Sequence, residues 1–584
     1  MTYPNRNTQW AETFVDELVA GGVDAVCLAP GSRSTPLTVA FALHDDIEVF
    51  SHLDERSAAF FALGRAKRTG KPTPLVCTSG TAAANFHPAV IEADRARVPM
   101  LVCTADRPPE LRDSGANQTV DQEKLYGSAV RWYADVAEPE ATGRKLRYLR
   151  TTAARALGSA TGTPPGPVHL NFPFRKPLGP VEVEGDVPES FAAENPLAAR
   201  GRDGPFVSVS NGVPELDSTA FSRVVDAVTD AERGMLVAGP ADAPTPGRSA
   251  LAALADATGF PVLADPLSGH RFGHDRTIVG GYDSYLVPDV TEEWPDPDVV
   301  IRFGASPTSK TLRQYLERVE SRQFVVDSAG GWREASFTAT DLLVADPTRL
   351  ARRLADEIGS EKAENETWAA RFERAESEHW SLVADAEEHF EGNLLAVVAR
   401  RLPDPATVFV SNSMPVRDLD RFAAPRSADV TVLGNRGASG IDGIISSSLG
   451  AGSATDDPLV LVTGDLAYYH DMNGLLALDR CSVDATIVEI NNDGGGIFHM
   501  LPIESFDPPF TGQFRTPHGL DYEATGDLYG LDFERVETLS AFRDAFSNSL
   551  DSSGTQVIEV RTTAETSHRI REGLQDRLVD ELRP

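Results

Sequence analysis

The residues best suited to chemistry stand at the ends of two apolar runs. Leu459-Val-Leu-Val-Thr-Gly-Asp465 reads as a buried strand closed by Gly464 and Asp465, and Asn492, 27 positions on, ends a second run, Val488-Glu-Ile-Asn-Asn-Asp-Gly494. Neighbouring strands of a parallel sheet would each deliver an oxygen donor at their carboxyl ends, the edge where open α/β sheets bind ligands. A hard cation such as Mg²⁺ wants about six oxygens, one or two from carboxylate or amide groups and others from phosphate. Gly464 and the Gly494–Gly496 run would let backbone and a diphosphate approach closely. Either sequence alone reads as an ordinary turn, since Gly-Asp and Asn-Asp-Gly are frequent turn formers; the two together, each on a strong apolar strand, read as a site.

Two further constellations accompany this pair. Ser51-His-Leu-Asp-Glu55-Arg-Ser-Ala-Ala-Phe60 places Glu55 at a strand-to-helix junction. An acid there either answers the helix dipole, as Asp54 beside it would equally well, or faces a ligand. The other constellation is cationic: Gly31-Ser32-Arg33-Ser34, Ala105-Asp106-Arg107-Pro108, Ser413-Met-Pro-Val-Arg417 and Gly434-Asn-Arg436-Gly437, with Lys310 after a Ser-Pro-Thr-Ser turn. One such Arg ordinarily pairs with a surface acid. Five cations, each on a turn after a strand, suit a small molecule with several carboxylates, which guanidinium grips through paired hydrogen bonds.

The elements that must position these groups follow from the chain as a whole. Its 584 residues correspond to about three or four compact units at roughly 150–200 residues each. A hydrophobic share of 41% and a charged share of 24% exclude general disorder and fibrous repeats. The 87 Asp and Glu outweigh the 54 Lys and Arg, leaving a formal charge of −33, which repels phosphate backbones and anionic lipid, so neither nucleic acid nor a membrane is expected as partner. Lysine is scarce, and the pattern reads as salt adaptation, because near 1 M salt the screening length falls to about 3 Å. Cys27, Cys77, Cys103 and Cys481 are scattered singly, without zinc spacing or a disulfide framework. No basic-then-apolar leader and no run of 18 apolar residues occurs, so a cytoplasmic location is expected.

Short apolar strands, Gly/Ser/Pro turns and helical patterns alternate throughout, the rhythm of parallel sheets covered by helices. The expected division is 1–180, an extended linker over 181–215, a central α/β unit over 216–365, a helical connector over 366–392 and a last α/β unit over 393–584. Strands are expected at 24–29, 74–78, 98–104 and 168–171, then at 235–238, 261–264, 299–303 and 324–327, then at 408–410, 430–433, 459–463, 485–490 and 557–560. Residues 350–390 read as helix with a solvated face.

Taken together, the Gly-Asp and Asn-Asn motifs and Glu55 resemble the thiamine-diphosphate-dependent enzymes. The resemblance implies three consecutive doubly wound α/β domains, with thiamine diphosphate bound through Mg²⁺ or Mn²⁺. Asp465 and Asn492 would hold the metal through their side chains and Gly494 through its carbonyl, with Gly464 and Leu466 beside the diphosphate. Glu55 would bind the aminopyrimidine and favour the tautomer that removes the thiazolium proton. Leu466 departs from the Gly common at that position, and one branch of the family shares the departure. That branch also resembles this chain in Ala29-Pro-Gly-Ser-Arg-Ser-Thr-Pro-Leu37, Thr78-Ser-Gly-Thr-Ala-Ala-Ala-Asn85, Thr104-Ala-Asp-Arg-Pro-Pro-Glu-Leu-Arg112, Gly115-Ala-Asn-Gln-Thr119 and Asn435-Arg-Gly-Ala-Ser-Gly-Ile-Asp-Gly443.

The resemblance implies decarboxylation of 2-oxoglutarate and 1,4-addition of the succinyl carbanion to isochorismate, in menaquinone biosynthesis. Ser32, Arg33, Arg107, Asn117, Gln118, Lys310, Ser413, Arg417 and Arg436 would contact substrate, with Arg33, Gln118 and Glu55 at the reacting centre. Ile441 would hold the cofactor bent, and Ile497 and Phe498 would line the pocket. Members of the family build the site from two subunits, which implies a homodimer at minimum and a homotetramer as the larger form. An acetohydroxyacid synthase-like carboligase would share Glu55, Asp465 and Asn492 without needing the cations. The Gly239–Pro240 turn after 235–238 leaves a nucleotide or flavin binder open, and a third alternative is a scaffold that keeps the fold without the activity.

Overall fold

The computed structural model of the protein describes residues 3–274, 277–359 and 366–583. Its backbone is organised by three sheets whose strand pairs are all parallel. The first contains β1 (Ala25–Leu28), β2 (Glu48–Ser51), β3 (Thr73–Cys77), β4 (Met100–Asp106), β5 (Trp132–Asp135) and β6 (Pro167–Pro173), in the order β2-β1-β3-β4-β6-β5. The second contains β7 (Gly234–Ala238), β8 (Val262–Ala264), β9 (Val299–Phe303), β10 (Arg322–Val326) and β11 (Asp341–Leu343), in the order β11-β10-β9-β7-β8. The third contains β12 (Ala406–Val410), β13 (Val430–Leu433), β14 (Leu459–Gly464), β15 (Thr486–Asn491), β16 (Asp532–Val536) and β17 (Gln556–Arg561), in the order β13-β12-β14-β15-β17-β16.

The first and third sheets therefore share one winding, although no fixed-period repeat marks it in the sequence. In each sheet the strand order reverses beside the first strand, so crevices open between the carboxyl ends of β1 and β3, β7 and β9, and β12 and β14. Such reversal points are where open α/β sheets take ligands.

The central strands are apolar because both faces are covered. Every residue of β3, β4 and β6 is buried, as expected for parallel strands under helices on two sides. The core of the first sheet joins Trp10, Phe14 and Leu18 to Val26, Leu101 and Val168. That of the third joins Leu394, Val398 and Leu419 to Val408, Val460 and Val488.

Contacts divide the chain into two compact units. One comprises residues 1–212, 435–456 and 470–483, and carries the first sheet; the other comprises 213–434, 457–469 and 484–584, and carries the second and third. In the first unit the helix Ile444–Gly452 crosses the helix Glu55–Thr69. The segment 181–215 includes two short helices, Phe191–Glu194 and Pro196–Arg200. Buried Arg150 fastens the second by donating to the carbonyls of Ala198 and Ala199 at 3.0 Å each, while pairing with Glu17 at 3.1 Å.

In the second unit, the stretch expected to show a solvated helical face holds the helices Pro347–Ile358 and Glu366–Asp385; residues 360–365 lie outside the described residues. The second helix also buries Trp368 and Phe372. Its Glu376 is buried too, accepting hydrogen bonds from the amides of Gly280 and Gly281, the Tyr285 hydroxyl and the Trp380 indole. Among the described residues, no helix is long and apolar enough to cross a membrane. All four cysteines are free thiols; three are buried and Cys481 is half-buried.

Candidate functional site

In the first unit the expected residues gather along the carboxyl edge of the first sheet. Asp54 caps the helix Glu55–Thr69, its carboxylate accepting from the Arg56 amide at 2.8 Å. The capping task thus falls to Asp54, and Glu55 is left half-buried with no hydrogen bond or ion pair among the described residues. It stands near the end of β3, where its charge adds to burial in raising the Cys77 thiol above its ordinary range. An unengaged carboxylate at such an edge is a ligand group in search of a donor.

Arg33 is buried behind the β1 turn. Its amide donates to the Thr78 hydroxyl at 3.2 Å and its Nη1 to the Phe174 carbonyl at 2.6 Å, while Nε has no partner. Burial, and then the nearby Arg107 charge, push the guanidinium below its usual range. Arg107 follows β4, its amide donating to Asp106 at 2.7 Å and its Nη2 to the Asn117 carbonyl at 2.8 Å. Gln118 is clasped to the turn after β3: the Ser79 hydroxyl donates to the Gln118 carbonyl, and Gln118 Nε2 donates to the Ser79 carbonyl, both at 3.0 Å. Ser32 is exposed on the same edge.

Arg436 and Ile441 are half-buried on the loop before the helix Ile444–Gly452. Glu92 shapes this loop, accepting from the amides of Gly437 at 2.9 Å and Ala438 at 2.6 Å and pairing with Lys67 at 3.1 Å. A cavity of about 500 Å³ beside it is lined by Phe60, His87, Glu92, Asn435, Ala438 and Asp442. Sequence reading missed Glu92, whose one signal is a carboxylate set among the apolar residues of Ala89-Val-Ile-Glu-Ala93.

The second unit holds the residues expected to donate oxygen, Asp465 and Asn492. The register pairs Gly464 with Ile490, so Asp465 and Asn492 leave adjacent strands at the same edge. Asp465 is 3% exposed. Its Oδ1 accepts from the Leu466 amide at 2.7 Å, and its Oδ2 from the Gly494 amide at 2.8 Å, with His518 Nε2 at 3.1 Å. Burial raises its carboxyl, and these hydrogen bonds oppose the rise. Gly494 has φ +135°, and a Cβ on it would lie 2.0 Å from the Arg515 carbonyl oxygen, so only glycine fits. Ile497 and Phe498 follow on one helical turn, and Phe498 meets Phe514 edge-on at 5.5 Å.

Two observations test whether these residues fit a metal-bound diphosphate. The Asn492 Oδ1 is buried without any hydrogen-bond partner, while its Nδ2 donates to Glu391 at 2.8 Å. Nothing stands within 4 Å of a Cβ built on Gly464. A free amide oxygen, a carboxylate and open space at a strand end fit a hard cation and its phosphate. Among the described residues, no group of three His, Cys, Asp or Glu side chains could hold a metal. His518 and Glu391 were both missed by sequence reading.

Ser413 and Arg417 are brought together after β12. Ser413 has φ +69°, and Arg417 Nη1 donates to its carbonyl at 2.5 Å. Lys310 is exposed at the start of the helix Lys310–Arg318, which follows β9 of the second sheet.

Comparison with known proteins accords with this arrangement. Residues 8–125 match the family "Thiamine pyrophosphate enzyme, N-terminal TPP binding domain", 214–410 the "Middle domain of thiamine pyrophosphate", and 421–560 the "Thiamine pyrophosphate enzyme, C-terminal TPP binding domain". The chain has the fold of a thiamine diphosphate-dependent 4-hydroxybenzoylformate decarboxylase from Rhodococcus jostii, with a TM-score of 0.71 at 19% identity, covering 95% of this chain and 99% of that one. The protein is thus a thiamine-diphosphate-dependent enzyme.

Similarity to curated relatives is far higher. The 2-succinyl-5-enolpyruvyl-6-hydroxy-3-cyclohexene-1-carboxylate synthase of Haloarcula marismortui is 64% identical over the whole of both chains. Synthases of the same name from Halobacterium salinarum, at 62% over 99% of each chain, and from a Roseiflexus species, at 48% over 96% of each, extend the likeness. The chain belongs to the 2-succinyl-5-enolpyruvyl-6-hydroxy-3-cyclohexene-1-carboxylate synthase family. The central domain is accordingly the middle domain of a thiamine-diphosphate enzyme.

Proposed function

We propose that the protein decarboxylates 2-oxoglutarate and adds the resulting succinyl carbanion to isochorismate, giving 2-succinyl-5-enolpyruvyl-6-hydroxy-3-cyclohexene-1-carboxylate. One observation carries the substrate class. Arg33 and Arg107 lie close enough for the charge of Arg107 to act on Arg33, and neither forms an ion pair among the described residues, in a chain with 33 excess negative charges. Cations withheld from so many available acids are held for an anionic ligand.

Thiamine diphosphate, when bound, supplies the nucleophilic carbon and the electron sink for decarboxylation. The chain's own groups do the rest. Glu55, left unengaged by Asp54, holds the aminopyrimidine. Asp465, the Asn492 Oδ1 and the Gly494 carbonyl hold Mg²⁺ or Mn²⁺, with Gly464 and Leu466 against the diphosphate. Ile441 holds the cofactor bent, and Ile497 and Phe498 line the pocket, where apolar surface excludes water from the reacting carbon. Ser32, Arg33, Arg107, Asn117, Gln118, Ser413, Arg417, Arg436 and Lys310 bind and orient the carboxylates, and positioning of this kind is worth up to about 7–11 kcal/mol. The divisions at 180, 215, 365 and 392 bound the domains that carry these groups. The assembly is a homodimer at minimum, with a homotetramer as the larger form, working in the cytoplasm.

The test uses the full chain in molar salt with thiamine diphosphate and Mg²⁺. It should release CO₂ from 2-oxoglutarate and consume isochorismate, and Glu55→Gln should stop turnover while cofactor still binds. Preference for pyruvate over 2-oxoglutarate would instead favour an acetohydroxyacid synthase-like reaction.

A further inference from the structure

Behind Asn492 lies a buried ionic group that the reaction described above does not use. Asn492 Nδ2 donates to Glu391 Oε1 at 2.8 Å, and Glu391 Oε2 accepts from Arg571 Nη2 at 2.5 Å. Arg571 also binds Asp418 through Nε and Nη2, at 2.6 Å each. Glu391 and Asp418 are 1% exposed and Arg571 5%. The three come from separate helices, Glu391–Arg401, Met414–Phe422 and Ala564–Leu582.

We infer that Glu391 is a positioning residue for Asn492, fixing which atom of its amide is offered to the metal. The argument rests on hydrogen-bond polarity and on the metal-site reading given above. A carboxylate paired with a guanidinium only accepts, so the edge of the amide that faces Glu391 must be the NH₂. The Oδ1 is thereby turned away, and it is the atom that is buried without a partner. A primary amide not held in this way turns over by rotation about its last torsion, exchanging oxygen for NH₂, and an NH₂ repels a cation. Buried ion pairs carry a desolvation cost that often cancels their attraction. Specifying the orientation of one ligand is a return that packing alone would not provide.

The test is Glu391→Gln, which keeps the shape and changes the polarity. Arg571 only donates, so the new amide must turn its oxygen toward Arg571 and its NH₂ toward Asn492. The Asn492 amide then turns over to accept, leaving its NH₂ toward the metal. Mn²⁺ affinity in the presence of thiamine diphosphate, read from the electron paramagnetic resonance signal of free Mn²⁺, should fall at least tenfold. The thermal midpoint without metal and cofactor should move by no more than a few degrees.

Adding Asn492→Asp to Glu391→Gln should restore binding to within about threefold of the parent, because a carboxylate can accept on one oxygen and offer the other. Unchanged Mn²⁺ affinity in Glu391→Gln, or a double variant no better than the single one, overturns the inference. Asn492→Leu separates it from the site reading. If that variant binds Mn²⁺ like the parent, the metal site falls and the inference with it; if it loses Mn²⁺ while Glu391→Gln does not, the inference alone falls.

Discussion

Gly64 lies so close beneath Ser447 that a Cβ on it would stand 1.8 Å from the Ser447 carbonyl oxygen, and the contact has a counterpart at Gly450, where a Cβ would stand 1.9 Å from the Phe61 carbonyl oxygen. Two backbones touch here, with no flexible side chain to give way. Gly64→Ala should therefore destabilise the protein by about 1–3 kcal/mol, the usual cost of overpacking. Gly573→Ala is the contrast: it is exposed on the helix Ala564–Leu582 with open space around it, and should gain about 0.5–1 kcal/mol. Thermal denaturation of both in molar salt checks the pair, and equal midpoints would refute the crossing as described.

What could be read from the sequence, and what could not, divides by how local the physics is. Central strands such as β3, β4, β14 and β15 are legible because burial on both faces forces a continuous apolar run. The turns that carry Arg33, Ser413 and Asp465 are legible because they follow those runs at the reversal points. Strands β5, β11 and β16 are sheet edges, and were not foreseen: Asp532-Phe-Glu-Arg-Val536 is largely exposed or half-exposed and lacks any apolar run. The acids that shape the site depend on partners far along the chain, Glu391 on Arg571 at 180 residues' separation and Glu92 on Gly437 at 345. No local pattern announces such pairs. The choice between Asp54 and Glu55 as the helix cap was equally open until the backbone placed Asp54 against the Arg56 amide.

Buried His169 gives the fold a measurable acid response. Its Nε2 lies 2.8 Å from the Thr104 hydroxyl, which donates to Asn171 at 2.8 Å, so the imidazole donates through Nε2. Burial pushes it down to about 3. Unfolded histidine takes its proton at about pH 6.5. Between those values the unfolded chain holds one more proton, so this contribution is complete above pH 6.5 and is lost as pH falls. The slope is about 1.4 kcal/mol per pH unit. Asp471, raised to about 6 by burial, works in the opposite sense between pH 4 and 6, so variant and parent must be compared. His169→Gln should lower the slope of unfolding free energy against pH by one proton between pH 6 and 4.5; parallel curves would show that the ring already carries its proton when folded.

The excess of 33 negative charges should make stability a function of salt. At low ionic strength the screening length is tens of ångströms and the acids repel across the surface, while near 1 M it is about 3 Å. The thermal midpoint should climb steadily as KCl rises from about 0.1 M to 2 M. Sodium and potassium chloride should act alike at equal concentration if screening is the cause. A midpoint that stays flat, or that depends on which cation is present, would remove screening as the explanation.

Arg33 and Arg107 supply the last prediction. Arg107 reaches the Asn117 carbonyl and is otherwise committed only through its amide to Asp106, so its charge is available to a ligand. A hydrogen bond to a charged group contributes about 1.5–3 kcal/mol, which corresponds to a loss of roughly tenfold to a hundredfold on removal. Arg107→Gln should raise the KM of one anionic substrate by that factor, with a smaller effect on kcat. Arg175→Gln is the matched control, because Arg175 is exposed and already spent on Glu110 and Glu138. If both variants keep the parent's KM for 2-oxoglutarate and for isochorismate, the cations withheld from the surface acids serve something other than substrate.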